Sequence, residues 1–307
     1  MRMFYLGTPQ YAATILTRLL DDGFTPELVI TQPDRPAGRK RKLTPPPVKV
    51  IAQEHGLPVF QPEKITKEVR LELTAKKPDL LVVAAYGKIL RPALLAAPPY
   101  GCINAHASLL PHYRGAAPVN WALVNGETQT GITIIKMDAG IDTGPVLAKR
   151  AIPIDPEDNA GSLLIKLADL AGDLMVDTLQ RFLAGEIQPE PQPEEGTYSP
   201  MLSKEDGLLD WTHPATVLVN RVRGMTPWPG AYTFWQGKTI KILQAESVAG
   251  RGAPGEVLQA KKELVVAAGE GAVRLRQLQM QGKKEMPAVA FLNGVPMAIG
   301  DRFGPVK

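Results

Sequence analysis

Asn104-Ala105-His106-Ala107-Ser108-Leu109-Leu110-Pro111, followed by Arg114-Gly115 and then by Asp138-Ala139-Gly140-Ile141-Asp142-Thr143-Gly144, decides how this chain is read. Asn104 and His106 stand two apart after an apolar run, so at the end of a strand they project from the same face. Asp142 lies in a glycine-rich turn after a second apolar run, residues 131–137, and strand ends are where open α/β sheets bind ligands. One site could then hold an amide, an imidazole and a carboxylate.

These three groups suit acyl transfer to an amine. The reaction passes through a tetrahedral species with a negatively charged oxygen, and a neutral amide donor such as Asn104 stabilises it at any pH. A histidine changes charge near neutrality, so His106 can donate to the oxyanion or the leaving nitrogen, or relay the proton of the amine. Asp142 can orient the ring and favour its charged form. No Ser or Cys nucleophile is required. Asp138 is a second carboxylate in the same turn, and spacing alone does not choose between it and Asp142.

Working outward, strand-like apolar runs at 3–6, 28–31, 80–84, 102–104, 132–137 and 146–152 alternate with helical patterns at 10–21, 48–55, 67–76, 118–125 and 160–184. That alternation predicts an α/β fold with a mostly parallel sheet. The Pro/Glu-rich stretch 187–196 reads as a linker. Beyond Gly207, short β-like runs at 232–235, 239–243, 263–267 and 273–278 are punctuated by glycines and favour a small antiparallel barrel. The expected division is a catalytic domain at 1–186, a linker at 187–206 and a barrel at 207–307, since 307 residues exceed the usual single domain.

Composition excludes several classes. The apolar fraction of 44% is that of an ordinary globular protein, and no run approaches the ~20 apolar residues that cross a bilayer. The chain enters an apolar strand almost at its first residue, so no cleaved leader is expected. A single cysteine, Cys102, rules out an intramolecular disulfide and suits the reducing cytoplasm. Four histidines and one cysteine show no metal-ligand spacing, so no metal is expected.

Charge is unevenly placed. Residues 207–307 carry 13 Lys and Arg against 7 Asp and Glu, so the formal +4 of the chain lies in its C-terminal part. A basic domain of this kind suits an anionic macromolecular partner. Between Arg35 and Lys49 there are six more Lys and Arg residues (Arg35, Arg39, Lys40, Arg41, Lys42 and Lys49), no acid, and four prolines. Such a segment buries little and repels itself, so the expectation is a mobile surface loop. It follows the 28–31 strand, at the sheet edge where the site is expected, and its cations could grip phosphates.

The motif around Asn104 resembles the signature of the formyltetrahydrofolate-dependent formyltransferases, and within that superfamily the chain is similar to the branch that formylates methionyl-tRNA. The likeness runs from Leu6-Gly7-Thr8-Pro9 through Thr31-Gln32-Pro33-Asp34-Arg35, Ala85-Tyr86-Gly87 and the Asn104 segment to Leu202-Ser203-Lys204-Glu205 and Pro227-Trp228-Pro229. The resemblance implies a Rossmann-like catalytic domain and an OB-like C-terminal barrel that binds tRNA. It implies Asn104, His106 and Asp142 as the catalytic trio, choosing Asp142 over Asp138. Tyr86, Gly87, Ser108, Leu109, Leu110 and Pro111 are implied to form the pocket for N10-formyltetrahydrofolate. Arg39, assisted by Lys40, Arg41 and Lys42, is implied to contact the acceptor end of initiator tRNA. A cytoplasmic monomer acting in translation initiation is the expectation that goes with it.

Other conspicuous residues have plainer readings. Gly7-Thr8-Pro9 lacks both G-x-G-x-x-G and a P-loop lysine and reads as a tight strand-to-helix turn. Asp138 reads as a brace of its own loop, and Arg114 as a donor to loop carbonyls. Trp211, Trp228 and Trp235 read as packing residues, His112 and His213 as exposed bystanders. Competing functions are a formyltransferase acting on a nucleotide-sugar amine, on glycinamide ribonucleotide or on another small amine, a formyltetrahydrofolate hydrolase, and an RNA-binding protein that has lost catalysis. The extra hundred residues and the arginine-rich segment argue against the small-molecule acceptors, and the intact trio argues against a catalytically dead chain.

Overall fold

The computed structural model describes residues 1–38 and 41–304. Its elements run β1 (Met3–Gly7), α1 (Gln10–Asp21), β2 (Leu28–Ile30), β3 (Arg35–Ala37), β4 (Lys42–Thr44), α2 (Pro47–Glu54), β5 (Val59–Phe60), α3 (Lys67–Ala75), β6 (Leu80–Ala84), α4 (Pro92–Leu95), β7 (Cys102–His106), β8 (Arg114–Gly115) and α5 (Pro118–Val124). They continue with β9 (Gln129–Lys136), β10 (Val146–Pro153), α6 (Ala160–Leu183), β11 (Tyr198–Ser199), α7 (Ala215–Met225), β12 (Ala231–Trp235), β13 (Lys238–Val248), β14 (Val257–Ala260), β15 (Leu264–Ala267), β16 (Ala272–Met280), β17 (Met286–Pro287) and α8 (Ala288–Gly294). Two units result. One comprises Met1–Gly115, Gln129–Pro153 and Leu164–Tyr198, the other Ala116–Thr128, Ile154–Leu163 and Ser199–Lys307.

The first unit is built on a seven-stranded sheet of order β10-β9-β7-β6-β1-β2-β5. β1, β2, β5, β6 and β7 are parallel. Strands β1, β2, β6 and β7 are buried at every position, as strands covered on both faces must be, which is why they read as unbroken apolar runs. β9 and β10 depart from the parallel pattern: β9 is antiparallel to β7, and β10 to β9. The nine residues between β9 and β10 are too few for a parallel crossover, so the chain turns back on itself.

The chain runs outward from β1 to β2 and β5, then returns to β6 and β7 on the other side of β1. The order therefore reverses between β1 and β6, where such sheets open a crevice at their carboxyl ends. Register brings Gly7 beside Ala84 and Val83 beside Asn104, so the turns after β1, β6 and β7 gather at that edge. Gly7 makes the tight turn read from sequence: a Cβ there would lie 2.7 Å from the Ala12 Cβ. On α1, Tyr11, Ile15, Leu16 and Leu19 are buried at helical spacing, and the Tyr11 hydroxyl donates to the Ala105 carbonyl at 3.3 Å. This fastens the helix to β7 between Asn104 and His106.

The second unit holds an antiparallel sheet of order β12-β13-β16-β15-β14, with β17 on β16. Its inward residues, among them Trp235, Ile240, Ile242, Val266, Leu275 and Leu278, pack with Leu218, Val222 and Met225 of α7 in one core. Helix α7 has no counterpart among the helical patterns read from the sequence. Its valines and threonine suggest β structure, yet Ala215, Leu218, Val222 and Met225 recur at helical spacing and are buried. Helix α6 begins on a reciprocal cap, in which Ser162 N donates to Asn159 Oδ1 at 3.0 Å and Asn159 N to Ser162 Oγ at 3.1 Å. No helix among the described residues is long and apolar enough to cross a membrane.

Of the tryptophans read as packing residues, Trp211 and Trp235 are buried, but Trp228 is 55% exposed. It stands in the proline-flanked turn that leaves α7, and that turn directs its ring outward. Trp211 Nε1 donates to Thr233 Oγ1 at 2.9 Å inside the core. Trp211→Phe should lower stability by about 1–3 kcal/mol through the lost buried hydrogen bond, read as a lower urea midpoint at unchanged slope.

Candidate active site

Asn104 and His106 occupy the carboxyl end of β7, and both are largely buried, at 8% and 6% exposure. Their cross-strand partners on β9 are Ile135 and Thr133. His106 Nε2 lies 2.9 Å from the Tyr113 carbonyl. A carbonyl only accepts, so Nε2 carries a proton. The other ring nitrogen, Nδ1, lies 3.5 Å from Asp142 Oδ2. That spacing is an ion-pair distance and too long for a strong hydrogen bond, so a proton on Nδ1 has no full partner within the protein. Acceptors facing both nitrogens complement the doubly protonated ring, whose positive charge the carboxylate offsets. Asn104, 8% exposed, carries its side-chain amide two residues from His106 on the same strand.

Asp142 reaches His106 from the loop between β9 and β10. Its φ is +53°, the left-handed region that a non-glycine residue adopts only when its surroundings hold it there. Asp142 Oδ2 accepts from Gly115 N at 2.9 Å. Asp138 Oδ1 accepts from Gly140 N at 3.0 Å and from Thr143 Oγ1 at 2.7 Å, so Asp138 braces this loop from within. A Cβ on Gly144 would stand 2.0 Å from the Lys136 carbonyl, which leaves room only for glycine. The loop is also held from the 187–196 stretch. Gln192 Nε2 donates to the carbonyls of Asp142 at 2.9 Å and Gly144 at 2.7 Å, and Gln192 Oε1 accepts from Arg114 Nη2 at 3.0 Å. Arg114, 3% exposed, donates to the Pro193 and Glu194 carbonyls as well. Up to Thr197 this stretch is tied to the first unit: Val146 and Glu190 exchange backbone bonds, and Arg114 N donates to the Thr197 carbonyl.

The residues expected around the pteridine-bearing substrate fall into two groups. The Tyr86 ring points into the apolar core with Phe4, Leu81, Leu94 and Cys102, and burial raises its hydroxyl to about 12. Its carbonyl accepts from Thr8 Oγ1 at 3.0 Å and Gln32 Nε2 at 2.9 Å, so the turns after β1, β2 and β6 meet on one atom. What this loop exposes is Ala85 and Gly87, both at positive φ. In the second group, Ser108 and Leu110 are buried while Leu109 and Pro111 are half-buried. Ser108 Oγ donates to the His112 carbonyl at 2.6 Å. Thr133 Oγ1 donates to the Ser108 carbonyl at 2.7 Å and accepts from Leu110 N at 3.1 Å. Sequence reasoning missed Thr133, although a polar residue within the apolar run Ile132 to Ile135 is a recognisable sign of a buried hydrogen bond. No sequence signal distinguishes Gln192 within its proline- and glutamate-rich surroundings.

The basic segment is more ordered than expected. β3 and β4 pair antiparallel, Arg35 with Thr44 and Pro36 with Leu43, and positive φ at Gly38 and Arg41 serves the reversal of a hairpin. Arg39 and Lys40 lie outside the described residues. Arg41 and Lys42 are exposed and have no ion-pair partner among the described residues. Two of the six cations are already engaged: Arg35 pairs with Glu63 at 2.8 Å, and Lys49 with Asp34 at 2.8 Å. Their partners come from outside the acid-free segment, so its composition could not reveal them. His112 and His213 are exposed. Among the described residues, no group of three or more His, Cys, Asp or Glu side chains is placed to hold a metal ion.

The parallel-rich sheet followed by a separate antiparallel unit accords with a formyl transferase, and the chain belongs to that family. The formyl transferase family model matches residues 1–179, and the model of the formyl transferase C-terminal domain matches residues 201–296. Among named relatives, the methionyl-tRNA formyltransferase of Geobacter sulfurreducens is 50% identical over 99% of this chain and 97% of its own length. That of Caldanaerobacter subterraneus subsp. tengcongensis is 47% identical over 96% and 97%. The fold also resembles an N-formyltransferase from Helicobacter canadensis in complex with folinic acid and dTDP-3-aminofucose. The TM-score is 0.68 at 17% identity, covering 90% of this chain and 98% of that one. HypX from Aquifex aeolicus in complex with tetrahydrofolic acid matches with a TM-score of 0.64 at 19% identity, over 100% of this chain and 51% of that one.

Hydrogen bonds from Gln61 and Lys49 hold the Asp34 carboxyl below the ordinary carboxylate range. The clasp they form across the base of the hairpin is therefore complete above that range and is lost as pH falls through the lowered value. Amide exchange in the hairpin, corrected for intrinsic rate, should accelerate on acidification. Asp34→Asn should show the faster exchange already at neutral pH and lose the pH dependence.

Proposed function

We propose that this chain transfers the formyl group of N10-formyltetrahydrofolate to the free amino group of methionyl initiator tRNA, with Asn104, His106 and Asp142 at the reacting centre. The observation that carries the reading is the pairing, on one strand, of the Asn104 amide with an imidazole whose Nδ1 stands 3.5 Å from the Asp142 carboxylate. Both groups can donate a hydrogen bond, which is what a developing oxyanion requires. Formyltetrahydrofolate supplies an activated one-carbon acyl group, and the exposed turn at Ala85 and Gly87 together with the 108–111 segment is where it would lie.

In this mechanism Asn104 Nδ2 and His106 Nδ1 donate to the formyl oxygen as the amine of the methionyl ester attacks the formyl carbon. Asp142 keeps the ring turned so that Nδ1 faces the oxyanion. One C–N bond forms and the bond to the folate nitrogen breaks. The proton lost by the amine ends on that leaving nitrogen, with His106 placed to relay it. Residues 1–186 carry the chemistry and 187–206 connect to the C-terminal basic part, 207–307, which binds tRNA. Arg39, Lys40, Arg41 and Lys42 grip the acceptor end. The enzyme acts as a cytoplasmic monomer in translation initiation.

The first assay is formyl transfer to methionyl initiator tRNA beside methionyl elongator tRNA, free methionine and no acceptor. Formylation confined to the initiator supports the reading, whereas folate turnover without tRNA formylation assigns a hydrolase or a small-amine formyltransferase. Asn104→Ala should lower turnover on the order of 100-fold, and near-normal turnover would remove Asn104 from the mechanism. Replacing Arg39 to Lys42 by alanine should weaken tRNA binding and flatten its dependence on salt, with folate affinity unchanged. An equal fall in folate affinity would make the hairpin structural.

A further inference from the structure

Asp142 is the one member of the trio not carried by the rigid sheet, and its useful orientation depends on a loop held at left-handed φ. The main chain of that loop is gripped by a single side chain from a distant part of the sequence. Both protons of the Gln192 amide are spent on it, one on the Asp142 carbonyl at 2.9 Å and one on the Gly144 carbonyl at 2.7 Å. The same residue turns its oxygen to buried Arg114, which donates from Nη2 at 3.0 Å and from Nε at 3.3 Å. Arg114 precedes Gly115, whose N–H fixes Asp142 Oδ2 at 2.9 Å. Gln192 thus joins the two supports of Asp142: it holds the backbone directly and anchors the segment that holds the carboxylate.

Pro191 and Pro193 flank Gln192 and restrict its backbone. The paired bonds between Val146 and Glu190, 2.7 and 2.8 Å, fix its approach to the loop.

We propose that Gln192 is a positioning residue for formyl transfer, acting through Asp142 by clamping the carbonyls of Asp142 and Gly144 against Arg114. The proposal rests on the catalytic reading of Asp142. Glutamate is the informative replacement, because it keeps the size and the bonds from Arg114 and turns an acceptor toward two carbonyls that need donors.

The experiment is a cycle of wild type, Gln192→Glu, Asp142→Asn and the double variant, each as the full chain in steady-state formylation of methionyl initiator tRNA, with thermal midpoints recorded. Gln192→Glu should lower kcat by about 10- to 100-fold, the cost of a misplaced catalytic group, with KM for both substrates and the midpoint nearly unchanged. In the Asp142→Asn background the same substitution should cost nothing further. Wild-type kcat in Gln192→Glu, or an equal loss in both backgrounds, overturns the positioning role while Asp142 keeps its own. Near-normal turnover in Asp142→Asn removes the carboxylate from the chemistry, and the role of Gln192 falls with it. If Gln192→Glu does not fold, Gln192→Ala carries the same cycle and the same outcomes.

Discussion

The His106 imidazole lies between two acceptors, the Tyr113 carbonyl at Nε2 and the Asp142 carboxylate at Nδ1, and much of the first unit serves to keep it there. Each acceptor needs its own support, because neither belongs to the strand that carries the histidine. Tyr113 sits at φ +59° in a loop whose amide donates to Thr197 Oγ1 at 2.8 Å. Asp142 is held by Gly115 N, by Gln192 and by the Asp138 brace. A 3.5 Å approach leaves Nδ1 free to donate elsewhere, while a shorter contact would commit it to the carboxylate.

The same economy governs the cations. A run of six Lys and Arg without an acid should repel itself, and two of its members relieve this by pairing outside the run, Arg35 with Glu63 and Lys49 with Asp34. Those pairs lie at the base of the β3–β4 hairpin, so they brace it. Of these, the exposed Arg35–Glu63 pair adds little to global stability. Their effect is geometric, in that the flanks of a proline-rich segment are held at fixed points on the sheet edge.

Legibility in the sequence differed by element. The buried parallel strands could be read, because a strand covered on both faces must be apolar throughout, and so could α1 and α6, whose apolar residues keep helical spacing. Asn104 and His106 could be placed on one face from their separation alone. Helix α7 is obscured by its branched side chains: Thr216, Val217, Val219 and Val222 favour strands locally, and only burial against β13 and β16 makes the segment helical. Trp228 reads as an inside residue by its size, but the turn after α7 carries it outside.

By itself the sequence determined the alternating α/β pattern, the basic segment and the residue types able to stabilise an oxyanion, because these depend on local periodicity and on side-chain chemistry. Only the tertiary structure decided that Nε2 of His106 is spoken for by Tyr113, that Asp138 braces while Asp142 faces the ring, and that a glutamine from a proline-rich stretch fastens the Asp142 loop. Those contacts join residues up to 50 positions apart, Asp142 to Gln192. A hydrogen bond depends on ångström-scale distance and direction, which folding sets and which separation along the chain does not encode.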